Sequence, residues 1–329
     1  MKRKEKLGER KIIEIIQDHL DLMPKMPIPF GDDVSACNIG NRNLAILKTD
    51  MLVSKTDVPP GMTLWQAARK AVVMNISDFA AKGVKPKAML VSLGLPKDMR
   101  EEDVRELARG LNEGAREYDA YVIGGDTGEA SDLVITLSLF GIAAKSEVML
   151  RSGARPGDIL AVTGFFGKTS AGLKILLHNI DVPEKLRKVL VDSVLLPRAR
   201  LKEGLALRRS GAVSAAIDSS DGLAWSLHEI AKASSIGFTV DKLPIAREAE
   251  RFAEDHNMDA AELALYGGEE YELILTVKPN LWTAAEKAVR RVKGRLFRIG
   301  TVTAEKSVLF KMNGKRRVIQ PRGYEHFKT

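Results

Sequence analysis

Residues 63–82 read TLWQAARKAVVMNISDFAAK, a stretch long enough for a helix and apolar on nearly every side. Such a helix is buried all round rather than laid on a surface. Its polar interruptions Asn75 and Asp78 are three residues apart and share a face, so their side chains meet in a mostly dry place. An unpaired buried carboxylate is costly, and Asp78 therefore requires a cation, a donor cluster or a basic partner such as Arg69 or Lys70. On either side, Leu44 to Leu52 and Ala88 to Leu95 read as strands. Further out come an amphipathic helix over residues 5–20 with Ile12, Ile13, Ile16 and Leu20 on one stripe, and a charged helix from Glu101 to Glu117. A short strand from Tyr121 to Ile123 is expected to end at Gly124-Gly125-Asp126-Thr127, and a β-rich run follows from Leu133 to Ala143. Strands alternating with helices around a buried helix indicate an α/β, α+β-like layered fold.

The pattern breaks at Arg151-Ser152-Gly153-Ala154-Arg155-Pro156-Gly157-Asp158, a turn-rich linker. A second α/β unit is expected beyond it, with strands at Ile159 to Val162, Val213 to Ile217, Gly237 to Val240, Glu272 to Val277 and Leu296 to Ile299. A hairpin turning at Asn313-Gly314 closes it. The chain of 329 residues exceeds the size at which one core tends to split, so the expectation is two domains, residues 1–150 and 151–329.

Composition narrows the function classes. Hydrophobic residues make up 45% and charged residues 29%, the profile of a globular protein. The formal charge of +8 would suit nucleic acid, but apart from short runs at Lys2 to Lys6 and Lys315 to Arg317 the basic residues are interleaved with glutamate. A general attraction for anions, phosphorylated metabolites included, is the safer inference. The single cysteine, Cys37, rules out an internal disulfide and fits a reducing compartment. No apolar run approaches membrane-spanning length, so a cytoplasmic protein with no membrane partner is expected.

The chemistry lies in recurring acids. Asp32 and Asp33 follow Gly31, and Asp50 follows Thr49 in a strand between apolar neighbours. Asp78 sits on the buried helix, and Asp126 follows two glycines at an expected strand end, where ligands of α/β sheets tend to bind. Asp218-Ser219-Ser220-Asp221-Gly222 joins a strand to a helix, and Gly267-Gly268-Glu269-Glu270-Tyr271-Glu272 precedes a strand. Each has an ordinary reading, as turn residue or helix cap. Together they suit hard divalent cations, since Mg²⁺ takes oxygen ligands from carboxylates and substrate phosphates. That chemistry points to phosphoryl transfer or ATP-dependent ligation. A rival phosphate motif, Gly164-Phe165-Phe166-Gly167-Lys168-Thr169, fails as a P-loop because two residues, not four, separate its glycines. It is expected to pack a helix start against the sheet instead.

Taken in order, Gly31-Asp32-Asp33, Thr49-Asp50, Asn75-Ile76-Ser77-Asp78, Gly124-Gly125-Asp126-Thr127, Arg151-Ser152-Gly153-Ala154, the Asp218 to Gly222 run, Gly267 to Leu273 and Gly323-Tyr324-Glu325-His326-Phe327 resemble the thiamine-monophosphate kinase family, in the superfamily of aminoimidazole ribonucleotide synthetase and selenophosphate synthetase. The resemblance runs from about Gly8 to the C-terminal residues. It implies two α/β domains, the N-terminal sheets of two copies forming a barrel in a homodimer, and transfer of a phosphoryl group from ATP to thiamine monophosphate with several Mg²⁺ ions. It also implies Asp33, Thr49, Asp50, Asp78, Asp126, Asp218 and Asp221 as metal ligands, with Asp32 holding the turn or an outer-shell water. Gly125, Asp126, Arg151 and Ser220 would contact nucleotide, and Asp57, Glu269 and Tyr324 would meet the thiamine moiety. Asp33, Asp50, Asp78, Asp126 and Arg151 would carry the catalysis. The acceptor phosphate has a second pKa near 6 and is largely deprotonated at neutral pH, so no general base is needed, in keeping with five histidines, none inside the acidic motifs.

Four positions depart from the commoner family pattern. Lys48 replaces a small hydroxyl residue, Asp57 a histidine, Ser219 an apolar residue, and Glu270 an aspartate; the substrate pocket and the outermost metal are where these changes bear. A selenophosphate synthetase would carry a reactive cysteine or selenocysteine with a lysine in an N-terminal glycine-rich loop, and none is present. Hydrogenase-maturation relatives end in a functional cysteine where this sequence reads HFKT. An aminoimidazole ribonucleotide synthetase-like cyclase remains the enzymatic alternative. A basic nucleic-acid-binding module is the alternative from another class, disfavoured by 5% aromatic content and dispersed charge.

Overall fold

The computed structural model describes residues 7–312 and 314–327. The basic run Lys2 to Lys6, the start of the helix expected from residue 5, and Asn313 of the expected hairpin lie outside the described residues. The first half comprises α1 (Glu9–Gln17), β1 (Ser35–Asn38), β2 (Asn43–Val53), α2 (Ser54–Asp57), α3 (Leu64–Lys82), β3 (Pro86–Leu95), α4 (Glu101–Glu117), β4 (Tyr121–Glu129) and β5 (Val134–Ala144). The second comprises β6 (Ile159–Val162), α5 (Lys168–His178), α6 (Glu184–Leu195), α7 (Leu201–Ser210), β7 (Val213–Asp218), α8 (Leu223–Ser234) and β8 (Gly237–Val240). It continues with α9 (Arg247–Asp255), α10 (Ala260–Tyr266), β9 (Leu273–Val277), α11 (Trp282–Arg291), β10 (Phe297–Thr303), β11 (Val308–Met312) and β12 (Lys315–Val318).

Two sheets result, with strand orders β1-β2-β5-β3-β4 and β12-β11-β8-β10-β6-β9-β7. Both are mixed and mainly antiparallel. The parallel pairs are β3 with β4, joined by the crossover helix α4, and β8 with β11. The layered reading holds, but it rests on one βαβ unit in the first sheet rather than on parallel strands throughout. β11 and β12 close between Met312 and Lys315, so the turn falls at the expected place, with Gly314 at φ +78°.

Helix α3 explains its own composition. A capping box between Thr63 and Gln66 starts it, and Gly83 in the left-handed region ends it. Between those ends it is packed against β2 and β5 of the first sheet and against α7, β7 and β9 of the second. One hydrophobic core therefore runs through it, from Leu137 and Leu139 on one side to Ala216 and Leu275 on the other. Lys70 and Lys82 are buried on it too, Lys82 fully.

One expectation is corrected. Strand β4 does not stop at Ile123 but runs on through Gly124-Gly125-Asp126-Thr127. The glycines are there for a neighbouring strand: a Cβ on Gly125 would lie 1.8 Å from the Val91 carbonyl oxygen, beside the register shift at Met89/Leu90. The apolar stripe of α1 is not buried within the chain, and Ile13, Ile16 and, just beyond the helix, Leu20 are exposed. The helix docks instead through a charged side chain: Arg10 stacks 3.7 Å over the Trp225 ring and pairs with Glu229 at 2.5 Å. No helix among the described residues is long and apolar enough to cross a membrane.

Candidate active site

Three of the sequence-distant acids converge. Carboxylate oxygens of Asp33, Asp78 and Asp218, all buried, lie within 4.8 Å of one another. Asp33 comes from the turn before β1, Asp78 from the last turns of α3, and Asp218 from the end of β7, so the trio joins the two halves of the chain. Two uncharged oxygens nearby in sequence are also buried without a hydrogen-bond partner among the described residues, Asn75 Oδ1 one turn before Asp78 and Ser219 Oγ next to Asp218. A donor set made wholly of oxygen, with carboxylates crowding one another, fits a hard divalent cation.

Cations of the chain itself hold the surrounding acids. Lys82 Nζ lies 2.7 Å from Asp32 and 2.7 Å from Asp33, and donates to the Ala216 carbonyl at 2.9 Å. Arg151 donates through Nε to Asp33 at 2.7 Å and through Nη1 to the Gly31 carbonyl at 2.9 Å. Asp32 accepts from the Asp33 and Arg151 backbone amides at 2.8 and 3.0 Å. Lys48 Nζ bridges Asp50 and Asp78 at 3.0 Å each. The partners expected for Asp78 are engaged elsewhere, Arg69 with Glu117 and Lys70 with Glu269. Lys82 is not a site candidate from sequence, and Lys48 is marked there only as a departure from the family pattern; the signal available is a charged residue inside an otherwise apolar strand or helix.

The protonation balance follows. Burial pushes Asp33 up, but Lys82 and Arg151 outweigh it and hold its carboxyl below the usual range. Asp218 is pushed up to about 7, by burial first and then by Asp33, against a hydrogen bond from Ser77 Oγ at 2.5 Å. Burial also raises Asp78, which Lys48 offsets only in part. Asp221, raised to about 6 by burial and Glu9, faces Arg10 at 3.8 Å.

Not every candidate joins the trio. Rungs of the first sheet align Thr49 with Ser138, Leu90 and Gly124, and Met51 with Thr136, Ser92 and Asp126. Met51 and Leu90 are half exposed whereas Leu137 and Leu139 are buried, so Thr49 and Asp126 face outward while Lys48 and Asp50 face α3. On the outer face, a cavity of about 560 Å³ is lined by Asp32, Asp33, Thr49, Leu90 and Ile123 among others, a size usual for small-molecule sites. A smaller one of about 160 Å³ gathers Arg10, Arg151, Asp218, Ser220, Asp221 and Tyr324.

Asp57, Glu269 and Tyr324 meet around a third locus. Lys70 Nζ, buried, ties Glu269 at 2.5 Å to the Asp57 carbonyl at 2.8 Å. Tyr324 is pushed up to about 12, by burial first and then by the acids Asp57, Glu269, Glu9 and Asp221 around it. A histidine does stand here: His326 Nδ1 lies 3.3 Å from the Tyr324 hydroxyl and its Nε2 3.9 Å from Asp57. Glu269 and Tyr271 adopt positive φ of 63° and 51°; their amides donate to the Ser220 and Ser219 carbonyls at 2.6 and 2.9 Å, zipping this segment to the Asp218–Asp221 loop.

The Gly164 to Thr169 stretch is occupied by protein. Glu270 accepts from the Gly167 and Thr169 amides at 2.6 and 3.2 Å, a carboxylate where a P-loop would seat a phosphate. Burial, reinforced by Glu272, pushes Glu270 up to about 7. A raised native pKa means stability that is present below the ordinary value near 4.5 and lost as pH rises through about 7. Glu270→Gln is expected to remove that loss: in urea titrations at pH 5 and pH 8 the wild type should fall by on the order of 3 kcal/mol relative to the variant. Parallel curves for the two proteins would refute it.

Comparison with known proteins agrees along the whole length. Residues 31–143 match AIR synthase related protein, N-terminal domain, and residues 155–312 match AIR synthase related protein, C-terminal domain. The thiamine-monophosphate kinase of Nitrosopumilus maritimus is 34% identical over 98% of this chain and 99% of that protein. That of Pyrococcus abyssi is 35% identical over 97% and 96%. The solved structure of AaThiL complexed with AMPPCP and TMP superposes with a TM-score of 0.85 at 28% identity, covering 99% of each chain.

Proposed function

This chain belongs to the thiamine-monophosphate kinases, within the AIR synthase related family, and we infer that it transfers a phosphoryl group from ATP to thiamine monophosphate at the acidic cluster joining its two halves. The observation that carries this reading is the convergence of Asp33, Asp78 and Asp218 within 4.8 Å in a chain similar over its full length to such kinases.

Asp33, Asp78 and Asp218 would hold Mg²⁺, with Asp221 completing the set nearer Arg10. Bound there, Mg²⁺ supplies charge neutralisation and a template for the phosphates. The residues do the rest. Unit like charges 4 Å apart repel by about 4 kcal/mol at an effective dielectric of 20, and Arg151, held in place by Asp33 and Gly31, offsets that repulsion between the acceptor anion and the triphosphate. The acceptor phosphate arrives deprotonated, so His326 serves the binding pocket rather than proton abstraction. Asp57, Glu269 and the Tyr324 ring form an anionic, aromatic surround suited to the cationic thiazolium, with Lys70 fixing Glu269.

Gly125, Asp126 and Thr49 belong to the outer face, on the side of the larger cavity; Gly125 and Asp126, with Arg151 and Ser220, are proposed to meet the nucleotide, and Thr49 and Asp126 a metal ion on its phosphates. That same face carries exposed Leu47, Met51, Leu90, Tyr121 and Ile123 and ends in the unpaired edge of β4. A second copy of the chain, sheet to sheet, is the proposed occupant, giving the homodimeric barrel. Residues 1–150 and 151–329 are proposed as the two domains, each built on one sheet. A cytoplasmic setting is proposed, in keeping with soluble, charged substrates.

The purified chain incubated with ATP, Mg²⁺ and thiamine monophosphate is expected to yield thiamine diphosphate and ADP. No diphosphate, with turnover of a formamidine ribonucleotide instead, would replace this reading by the cyclase one.

A further inference from the structure

Lys48 sits in an unusual place for a lysine. It pairs across the strand with buried Leu139, and Asp50, next on the same face, pairs with buried Leu137; its side chain is 19% exposed, and its ammonium is 3.0 Å from Asp50 Oδ1 and 3.0 Å from Asp78 Oδ2. We infer that Lys48 stands in for a divalent cation between Asp50 and Asp78, so that this acid cluster takes one metal ion fewer than its carboxylates alone would call for. The inference rests on the Mg²⁺ reading of the Asp33, Asp78 and Asp218 trio and refines which acids are left for metal.

Charge balance supports it. Among the described residues, Asp32, Asp33, Asp50 and Asp78 are met directly by Lys48, Lys82 and Arg151, while Asp218, the fifth acid, sits beside Asp33 and Asp78 with no ion pair of its own. With all five acids ionised, as metal ligation requires, two negative charges are left over, which is what a single divalent ion neutralises. Without Lys48 three remain, and Asp50 with one oxygen of Asp78 becomes an open pair of hard ligands. An ammonium and Mg²⁺ compete for the same carboxylate lone pairs, and two cations so close would repel strongly.

The test counts Mn²⁺, as the metal alone, bound at saturation by the full chain, using electron paramagnetic resonance of the free ion. Lys48→Ser is expected to bind one more Mn²⁺ per chain than wild type, and Lys48→Ser with Asp50→Asn to return to the wild-type count. Equal, non-zero counts in wild type and Lys48→Ser would overturn the inference and leave the metal reading standing. Zero in both would overturn the two together. Should Lys48→Ser not fold, Asp50→Asn alone decides: an unchanged count supports Lys48 as the occupant beside Asp50, and the loss of one Mn²⁺ overturns it.

Discussion

Asp218→Asn is expected to cut thiamine diphosphate formation roughly a thousandfold, the scale of losing a charge-stabilising group in a dry site, while making the metal-free chain more stable at pH 8. The two effects have one cause. Asp218 is buried, and its carboxyl is pushed up to about 7 by burial and then by Asp33. In the native chain it keeps its proton to higher pH than the unfolded chain does, so its stabilising share is full below about 4 and is lost as pH rises through about 7. Asparagine keeps the shape, accepts the Ser77 hydroxyl and never ionises. The gain at pH 8 should be on the order of 2–4 kcal/mol in denaturant titration with chelator present, shrinking towards pH 4. Activity retained, or a variant less stable than wild type at pH 8, would remove Asp218 from the metal set or from the strained charge cluster respectively.

Lys82→Met is expected to do the opposite to stability at the same cluster. Lys82 is fully buried, and its ammonium serves Asp32, Asp33 and the Ala216 carbonyl at once. Methionine has similar volume, so the loss is of charge rather than packing. Removing one partner of a buried ionic network typically costs about 3–5 kcal/mol, because the remaining charges stay buried. Unfolding by urea should show that deficit at neutral pH, and it should narrow when Mg²⁺ is added, since a cation in the trio partly replaces the missing one. A variant as stable as wild type without metal would show that Arg151 alone suffices to hold the Asp32–Asp33 turn. The contrast between the variants is informative in itself: taking an acid from the cluster stabilises it, and taking a cation destabilises it.

Local pattern determined much of this protein. Residues 63–82 could only be a helix buried on all sides, and it lies between the two sheets. The strands Leu44 to Leu52 and Ala88 to Leu95 and the helix Glu101 to Glu117 depend on hydrophobic period alone and are found within a residue or two of where that period puts them. The acidic motifs announced hard-cation and phosphate chemistry because hydrated ions and phosphates demand oxygen donors whatever the fold. Tertiary structure decided the pairing. Which acids meet depends on contacts between elements far apart in the sequence: Asp33 and Asp78 meet Asp218 from more than a hundred residues away, and the two-residue period of β2 turns Thr49 outward and Asp50 inward. It also decided the counter-charges, because a lysine on a strand or helix shows its sign in the sequence but not its partner. Lys48 meets Asp78 only because α3 packs on β2, Lys82 meets Asp32 and Asp33 only because their turn folds back on the end of α3, and the desolvation that makes these ion pairs matter exists only in the folded chain.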